Sequence, residues 1–520
     1  MRSFLSRFHA LVCFVLSGFD RVRFWGESRL LNHVGGVNSY LYQYGILRRD
    51  FPKHCEQLTR RLREQSYAQA EREGVPLMHL NSPKVEKDVV ALGLARTHNR
   101  GSGRIALLTS MEMATTYRLR QTAEGFVEPR KETTRCLHLY HYFLHDRFGL
   151  CYVRVQTWFP FTIRVGLNGR LWLARELEKR GVPCQRHRNL ITAVDDPHLA
   201  QQLLDAQTHA DWPALLSELV QPIMPLWSFL HDDIRTPYYW MTEQSEWATD
   251  VVFRSPTDLA VWYPRWIRHG LETLQCRDVL RYLGKKVPDA CPGEVQIDLR
   301  ARPEGTRLKF WYDSNSLKFY NKEGIDQAPI ALRLENTINK VSPFKVFRVK
   351  EGEDSAAAKS WQQMRTGVAD LPRRAEIGQA INNRLAESLA SLAESTPLGQ
   401  LLKPLGQPVF QDGRRLARAL NPLTGADGEL LRALGNGDFL LHGFRNRDLR
   451  LALHGHALTP DQRRKQSAAI TRLLAIVRAH GLIVKIPKTH RYQLSAEGKR
   501  IVTALLAAHA ANANRLAEAA

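Results

Sequence analysis

Near the middle of the chain stand Lys318, Tyr320, Lys322, Arg333 and Glu335. Residues two apart on a β-strand share a face. Lys318, Tyr320 and Lys322 on one strand, beside Arg333 and Glu335 on the next, would make a single patch of cations, a phenol and a carboxylate. Lys309 on a preceding strand would join them. Cations neutralise phosphates and aromatic rings stack on bases. Such a face suits nucleic-acid contact or a catalytic centre, and it is equally the solvated face of an ordinary basic protein.

Carboxylates elsewhere offer metal ligands. Asp20 and Glu112 each lie just beyond a strand-like run, the placement from which many metal-dependent nucleases assemble a site. Glu246 and Asp250 lie four apart in TPYYWMTEQSEWATD. Read as a helix, that stretch puts both on one face, where paired carboxylates hold a metal or do acid/base work. His138, His141 and His145 are less suited to a metal. His138 and His141 differ by three, so on one strand they point opposite ways.

The elements that must position these groups follow from patterning. From 293 to 337, strand-like runs alternate with Pro303-Glu304-Gly305 and Asp313-Ser314-Asn315, which read as hairpin turns. The pattern predicts an antiparallel meander with strands near 295–300, 307–312, 317–321 and 330–337. Its apolar face would carry Phe310, Phe319 and Leu334. Earlier, Ala10–Leu16 reads as a buried strand that turns at Ser17-Gly18 into a second strand over Val22–Trp25. Residues 181–290 read as mainly helical. The predicted organisation is an N-terminal α+β core over 1–180, a helical segment over 181–292 and a sheet completing the core over 293–350. A linker with a helix would follow over 351–425, then a C-terminal domain over 426–520. The fold class is α+β, multidomain.

Composition narrows the partners. Lys and Arg number 74 against 52 Asp and Glu, a formal charge of +22 spread along 520 residues. That favours a polyanion, nucleic acid before anionic membrane. The seven cysteines form no CxxC pair, so neither a zinc ribbon nor a disulfide framework is expected, and a reducing cytoplasm is. The apolar run near the N-terminus is followed at once by Asp20, Arg21 and Arg23, unlike a cleaved leader, and no stretch approaches a membrane span.

The C-terminal region has the clearest local signals. Short helices are predicted over 428–434 and 445–453. A longer one opens on Thr459-Pro460-Asp461-Gln462, with Thr459 as N-cap, Pro460 at the first turn and Gln462 closing a capping box. A two-stranded ribbon around Pro487-Lys488-Thr489 and a last helix follow. From Asp461 to Arg500 there are ten basic residues and two acidic ones. This order, with RAHGLIVKIPKTHRYQLSAEGKR at its centre, resembles a winged helix-turn-helix of the MarR-like kind. The resemblance implies a third helix in the major groove and a wing on the backbone or minor groove. Arg463, Arg464 and Gln466 would then face bases or phosphates, and Lys485, Lys488 and Arg491 would be wing contacts.

A shorter resemblance joins LKFYNKEG to LRLE, which is similar to a K-x-Y-x-K…L-R-x-E pattern of rolling-circle replication initiators and phage replication nickases. It implies a nicking sheet that uses a tyrosine nucleophile and a metal, Mg²⁺ or Mn²⁺, at the phosphate, with Tyr320 and Glu335 as the catalytic candidates and the attacking tyrosine left open. The histidine pair expected upstream in those families is missing. The whole chain is also similar to a group of bacterial proteins of the same layout, a likeness that implies no activity. The expectation is a cytoplasmic protein of mobile-element or plasmid-replication type that binds double-stranded DNA and nicks it. A non-catalytic winged-helix regulator and an RNA-binding protein are the alternatives.

Overall fold

In a computed structural model of the chain, the described residues are all but 275, 286–294, 302–305, 351–357, 391–396, 436–438, 440–442, 457–458, 488 and 511–520. The expected turn at Pro303-Glu304-Gly305, the start of the expected linker and Lys488 lie outside them. The fold is α+β, and the Cα positions separate into two compact units. One joins 9–263 with 297–383, the other 1–8, 264–296 and 384–520, so each draws on distant parts of the chain.

The larger unit is built on a sheet of eleven strands. They are β1 (Val12–Ser28), β2 (Leu77–Leu80), β3 (Gly103–Gln121), β4 (Val127–His145), β5 (Gly149–Gln156), β6 (Ile163–Asn168), β9 (Tyr238–Phe253), β10 (Gln296–Arg300), β11 (Arg307–Tyr312), β12 (Asn315–Glu323) and β13 (Pro329–Ile338). The spatial order is β10-β11-β12-β13-β9-β1-β6-β5-β4-β3-β2. Between β6 and β9 in sequence comes a separate hairpin, β7 (Cys184–His187) and β8 (Leu190–Val194).

The meander appears in the predicted register. Lys309 pairs with Lys318, Lys318 with Glu335 and Tyr320 with Arg333. Phe310, Phe319 and Leu334 are fully buried on the opposite face. Helix 371–390 packs there, and its Asn382 donates to the Leu334 carbonyl (2.9 Å).

Two expectations fail for identifiable reasons. Ala10–Trp25 does not form a hairpin, because β1 runs straight through Ser17-Gly18. A Cβ on Gly18 would lie 2.9 Å from the Leu204 side chain, so the glycine makes room for helix 197–208 rather than for a turn. The stretch holding Glu246 and Asp250 is not helical; it is β9, sixteen residues long between β13 and β1. Its aromatic and β-branched residues fit a sheet buried on both faces. Residues four apart share a face on a strand as on a helix, so the two carboxylates still point the same way.

The smaller unit contains a separate apolar core. Leu430, Leu434, Leu449, Ile470, Leu474, Val477, Leu482 and Leu494 meet in it, and Leu401, Leu402, Leu405 and Leu420 join from upstream. Helices run over 425–434, 446–454, 460–479 and 496–510, with strands Ile483–Lys485 and Tyr492–Leu494 between the last two. The capping box forms. Thr459 Oγ1 accepts from the Gln462 amide (3.2 Å), and Gln462 Oε1 accepts from the Thr459 amide (3.3 Å). No helix among the described residues is long and apolar enough to cross a membrane.

Candidate functional site

On one face of the large sheet, three neighbouring strands bring carboxylates together. Asp20 comes from β1, Glu246 from β9 and Glu335 from β13, and their oxygens lie within 4.8 Å of one another. The convergence depends on a bulge. Phe19 pairs with Trp247 and Arg21 with Glu246, so Asp20 is an extra residue with no partner in β9. Bulges re-aim side chains, and this one turns the Asp20 carboxylate towards the other two.

Cations hold the cluster. Arg333, fully buried, donates through Nη1 to Asp20 (3.0 Å), through Nε and Nη2 to both oxygens of Asp250 (2.8 Å for Nη2) and through Nη2 to the Asn189 carbonyl (2.9 Å). Arg170, also fully buried, donates to Asp250 from the other side (3.0 Å). An isolated buried ion costs several kcal/mol, and only good geometry with satisfied partners offsets this. Asp250, expected as a metal ligand, is therefore the counter-ion of two arginines. Arg333, expected to touch nucleic acid, has no exposed surface to do so.

The β7–β8 hairpin closes this network. Asn189 follows Arg188, whose φ of 53° turns the chain at the tip. Its side-chain amide donates to both oxygens of Asp20 (2.6 and 2.8 Å), and its Oδ1 accepts from Lys322. Burial pushes the Asp20 carboxyl up, but Arg333, Lys322, Arg21 and Arg170 outweigh it and hold the group at about 2. Burial, reinforced by Arg333, brings the Lys322 ammonium down to about 8.

Glu335 accepts from the Tyr320 hydroxyl (2.8 Å) and pairs with Lys318 (2.6 Å). Burial and the adjacent Glu335 charge raise the Tyr320 phenol well above its ordinary value, so near neutrality it is a protonated donor. Glu246 differs from both other carboxylates: among the described residues it has neither a hydrogen bond nor an ion pair. Burial, then repulsion from Glu335, pushes its pKa up to about 7.

The cluster opens on a cleft of about 720 Å³ lined by ten Arg or Lys residues and four Asp or Glu. Arg186 and Arg188 reach it from the hairpin, Arg23 and Arg164 from the sheet, and Lys318 and Lys322 from β12. The Tyr152 ring lies across β6 at Gly166, where a Cβ would come within 2.2 Å of it.

No protein-family model, curated protein or solved structure matches this chain.

The remaining candidates lie outside the cluster. Glu112 is held by Lys87 (3.2 Å), Arg154 (3.5 Å) and the Tyr140 hydroxyl (2.8 Å), which line the same cleft, and it is not one of the three converging carboxylates. His138 accepts from Arg154 (2.7 Å), and His141 lies against Arg104 (3.1 Å). Burial beside these arginines brings both imidazoles to about 3, so they are neutral partners of cations. Lys309 is half-buried opposite Lys318. In the smaller unit Arg463, Arg464 and Lys485 are exposed. Gln466 is half-buried and accepts from Arg450 (3.3 Å), while Arg491 donates to the Gly443 carbonyl (3.0 Å).

Sequence reasoning missed Asn189, Arg170 and the arginines lining the cleft. Asn189 carried one local signal, an asparagine at the end of His187-Arg188-Asn189 between two short β-prone runs. Arg170 looked like an ordinary first-turn helix residue.

Proposed function

We propose that the protein binds DNA and nicks it, with the basic cleft taking the phosphodiester and Asp20, Glu246 and Glu335 holding Mg²⁺ or Mn²⁺. The observation that carries this reading is the meeting of three carboxylates from three strands in a cation-lined cleft. Hard divalent cations take carboxylate oxygens and leave positions for water and phosphate. A cation bound here would polarise the phosphate and neutralise charge developing on it. The residues suit one: Asp20 is held ionised and oriented by Arg333 and Asn189, Glu335 is oriented by Tyr320 and Lys318, and Glu246 has neither a hydrogen bond nor an ion pair among the described residues.

The protein's own groups divide the work. Arginines and lysines of the cleft bind the phosphate backbone. Lys318 and Tyr320 orient Glu335, and Asn189 with Arg333 orients Asp20. A phenol protonated and bound to Glu335 makes Tyr320 a positioning residue, which leaves water as the attacking group.

The smaller unit serves as a winged helix that docks duplex DNA. Its element order supports this, as does a single-residue antiparallel bridge from Phe444 to Tyr492 beside the two-stranded ribbon. Arg463 and Arg464 stand exposed near the start of helix 460–479, the end that meets base edges in such domains.

A second reading, a DNA-binding regulator without chemistry, has one observation in its favour: Asp20 and Glu335 each already have a cationic partner. A nicking assay separates the two. Supercoiled plasmid with Mn²⁺ should be relaxed by the wild-type protein and not by Asp20→Asn or Glu246→Gln, with DNA binding retained in both. No nicking with either metal, alongside intact binding, would leave the regulator reading standing.

A further inference from the structure

A second feature of the larger unit is made for bases rather than phosphates. Strands β14 (Lys345–Arg348) and β15 (Ser360–Gln363) form a ribbon of their own. It is rooted by Phe344 and Met364, both buried, with the Met364 amide donating to the Phe344 carbonyl (3.0 Å). Arg348, on one side, approaches Asp370 (3.6 Å). Phe347 and Trp361 occupy the other side, directly opposite each other in register. They are 54% and 57% exposed, with ring centroids 5.4 Å apart. Lys345 shares the side of Phe347, and the Arg373 guanidinium lies 5.5 Å from the Trp361 ring. Lys350 and Lys359 are exposed beyond the two strands. None of these residues lines the carboxylate cleft.

Two exposed rings among cations contribute little to a core, but they match the face of an unpaired base and the phosphates beside it. We propose that this ribbon is a base-stacking platform for single-stranded nucleic acid. The inference rests on the ribbon alone and stands or falls apart from cleavage in the cleft.

The test uses the full chain and labelled oligo(dT), oligo(U), an abasic oligomer and a duplex. Phe347→Ala and Trp361→Ala should each weaken oligo(dT) binding roughly tenfold, Trp361→Phe should retain most of it, and duplex affinity should not move. The abasic oligomer should bind the wild type more weakly than oligo(dT) and should not distinguish Trp361→Ala from it. Equal losses on oligo(dT) and oligo(U) assign the platform to both nucleic acids; a loss on one alone assigns it to that one. Unchanged affinity for both oligomers in both alanine variants, an equal loss on the abasic oligomer, or no binding of either oligo(dT) or oligo(U) by the wild type would each overturn the proposal. A cross-strand aromatic pair can also serve only to hold a hairpin together. In that case Trp361→Ala would lower the unfolding temperature and leave oligomer affinity intact, which likewise overturns it. Plasmid nicking by the same variants reports on the cleft separately.

Discussion

Glu246→Gln should have opposite effects on the metal-free protein and on its metal complex. In the folded state the Glu246 carboxyl sits at about 7, against an ordinary 4.5. A folded value above the unfolded one means that the native state resists ionisation. The site is therefore unpenalised below about pH 4.5, and the penalty grows until the pH passes about 7. A shift of this size corresponds to a penalty of up to about 3 kcal/mol at pH 8, at 1.36 kcal/mol per unit. Glutamine keeps the shape and cannot ionise. In denaturant titrations without metal, the variant should match the wild type at pH 4.5 and be more stable by about 1–3 kcal/mol at pH 8. Added Mn²⁺ should reverse the order: the wild type gains about 4.1 kcal/mol at a thousandfold excess over Kd, and the variant gains little. Calorimetry in buffers of different ionisation enthalpy should find about half a proton released per metal at pH 7, and less at pH 8. If the variant is less stable at pH 8, or if Mn²⁺ stabilises both proteins equally, Glu246 is not the uncompensated ligand described above.

Other outcomes follow from the same geometry. Asp20, held at about 2 against an ordinary 3.8, contributes stability above pH 4 that is lost as the pH falls towards 2, and Asp20→Asn should flatten that limb of an acid titration. Arg333→Met strands Asp20 and Asp250 without their shared cation and should cost about 3–5 kcal/mol in a urea titration, an effect reduced when both aspartates are also made asparagine. Arg464→Ala should lose on the order of 1–3 kcal/mol on a specific duplex site and less on random DNA, whereas Lys485→Ala should weaken all duplexes alike and reduce the salt slope by roughly one; gel shifts at two salt concentrations distinguish them. Leu401, Leu402, Leu405 and Leu420 share the core of the smaller unit. A fragment starting near residue 397 should therefore unfold more cooperatively by circular dichroism than one starting at 421.

Local patterning was legible where neighbouring residues decide the outcome. The strands of the central meander and the capping box at Thr459 follow from alternation and turn chemistry. Gly18 misled because a glycine in an apolar run can mark a turn or a close approach, and the approaching residue, Leu204, is remote in sequence. The stretch 238–253 misled because a spacing of four fits both periods; its flanking strands, β1 and β13, are equally remote.

The site shows the same division more sharply. Sequence spacing placed Lys318, Tyr320, Arg333 and Glu335 on one face but gave that face to solvent. In the fold it is largely enclosed: Arg333 and Glu335 are almost wholly buried, and the β7–β8 hairpin reaches over Asp20. Enclosure changes what each charge can do. In a low-dielectric setting every ionised group needs a partner. Arg333 is matched by two aspartates, Asp250 by two arginines, and Glu335 by a lysine and a phenol. Glu246 has no hydrogen bond or ion pair among the described residues, and burial, then repulsion from Glu335, raises its pKa against the weaker pull of Lys318 and Arg21. A divalent cation would supply the missing positive charge at the place where the cleft opens, which is why metal affinity and the titration of Glu246 should be lost together.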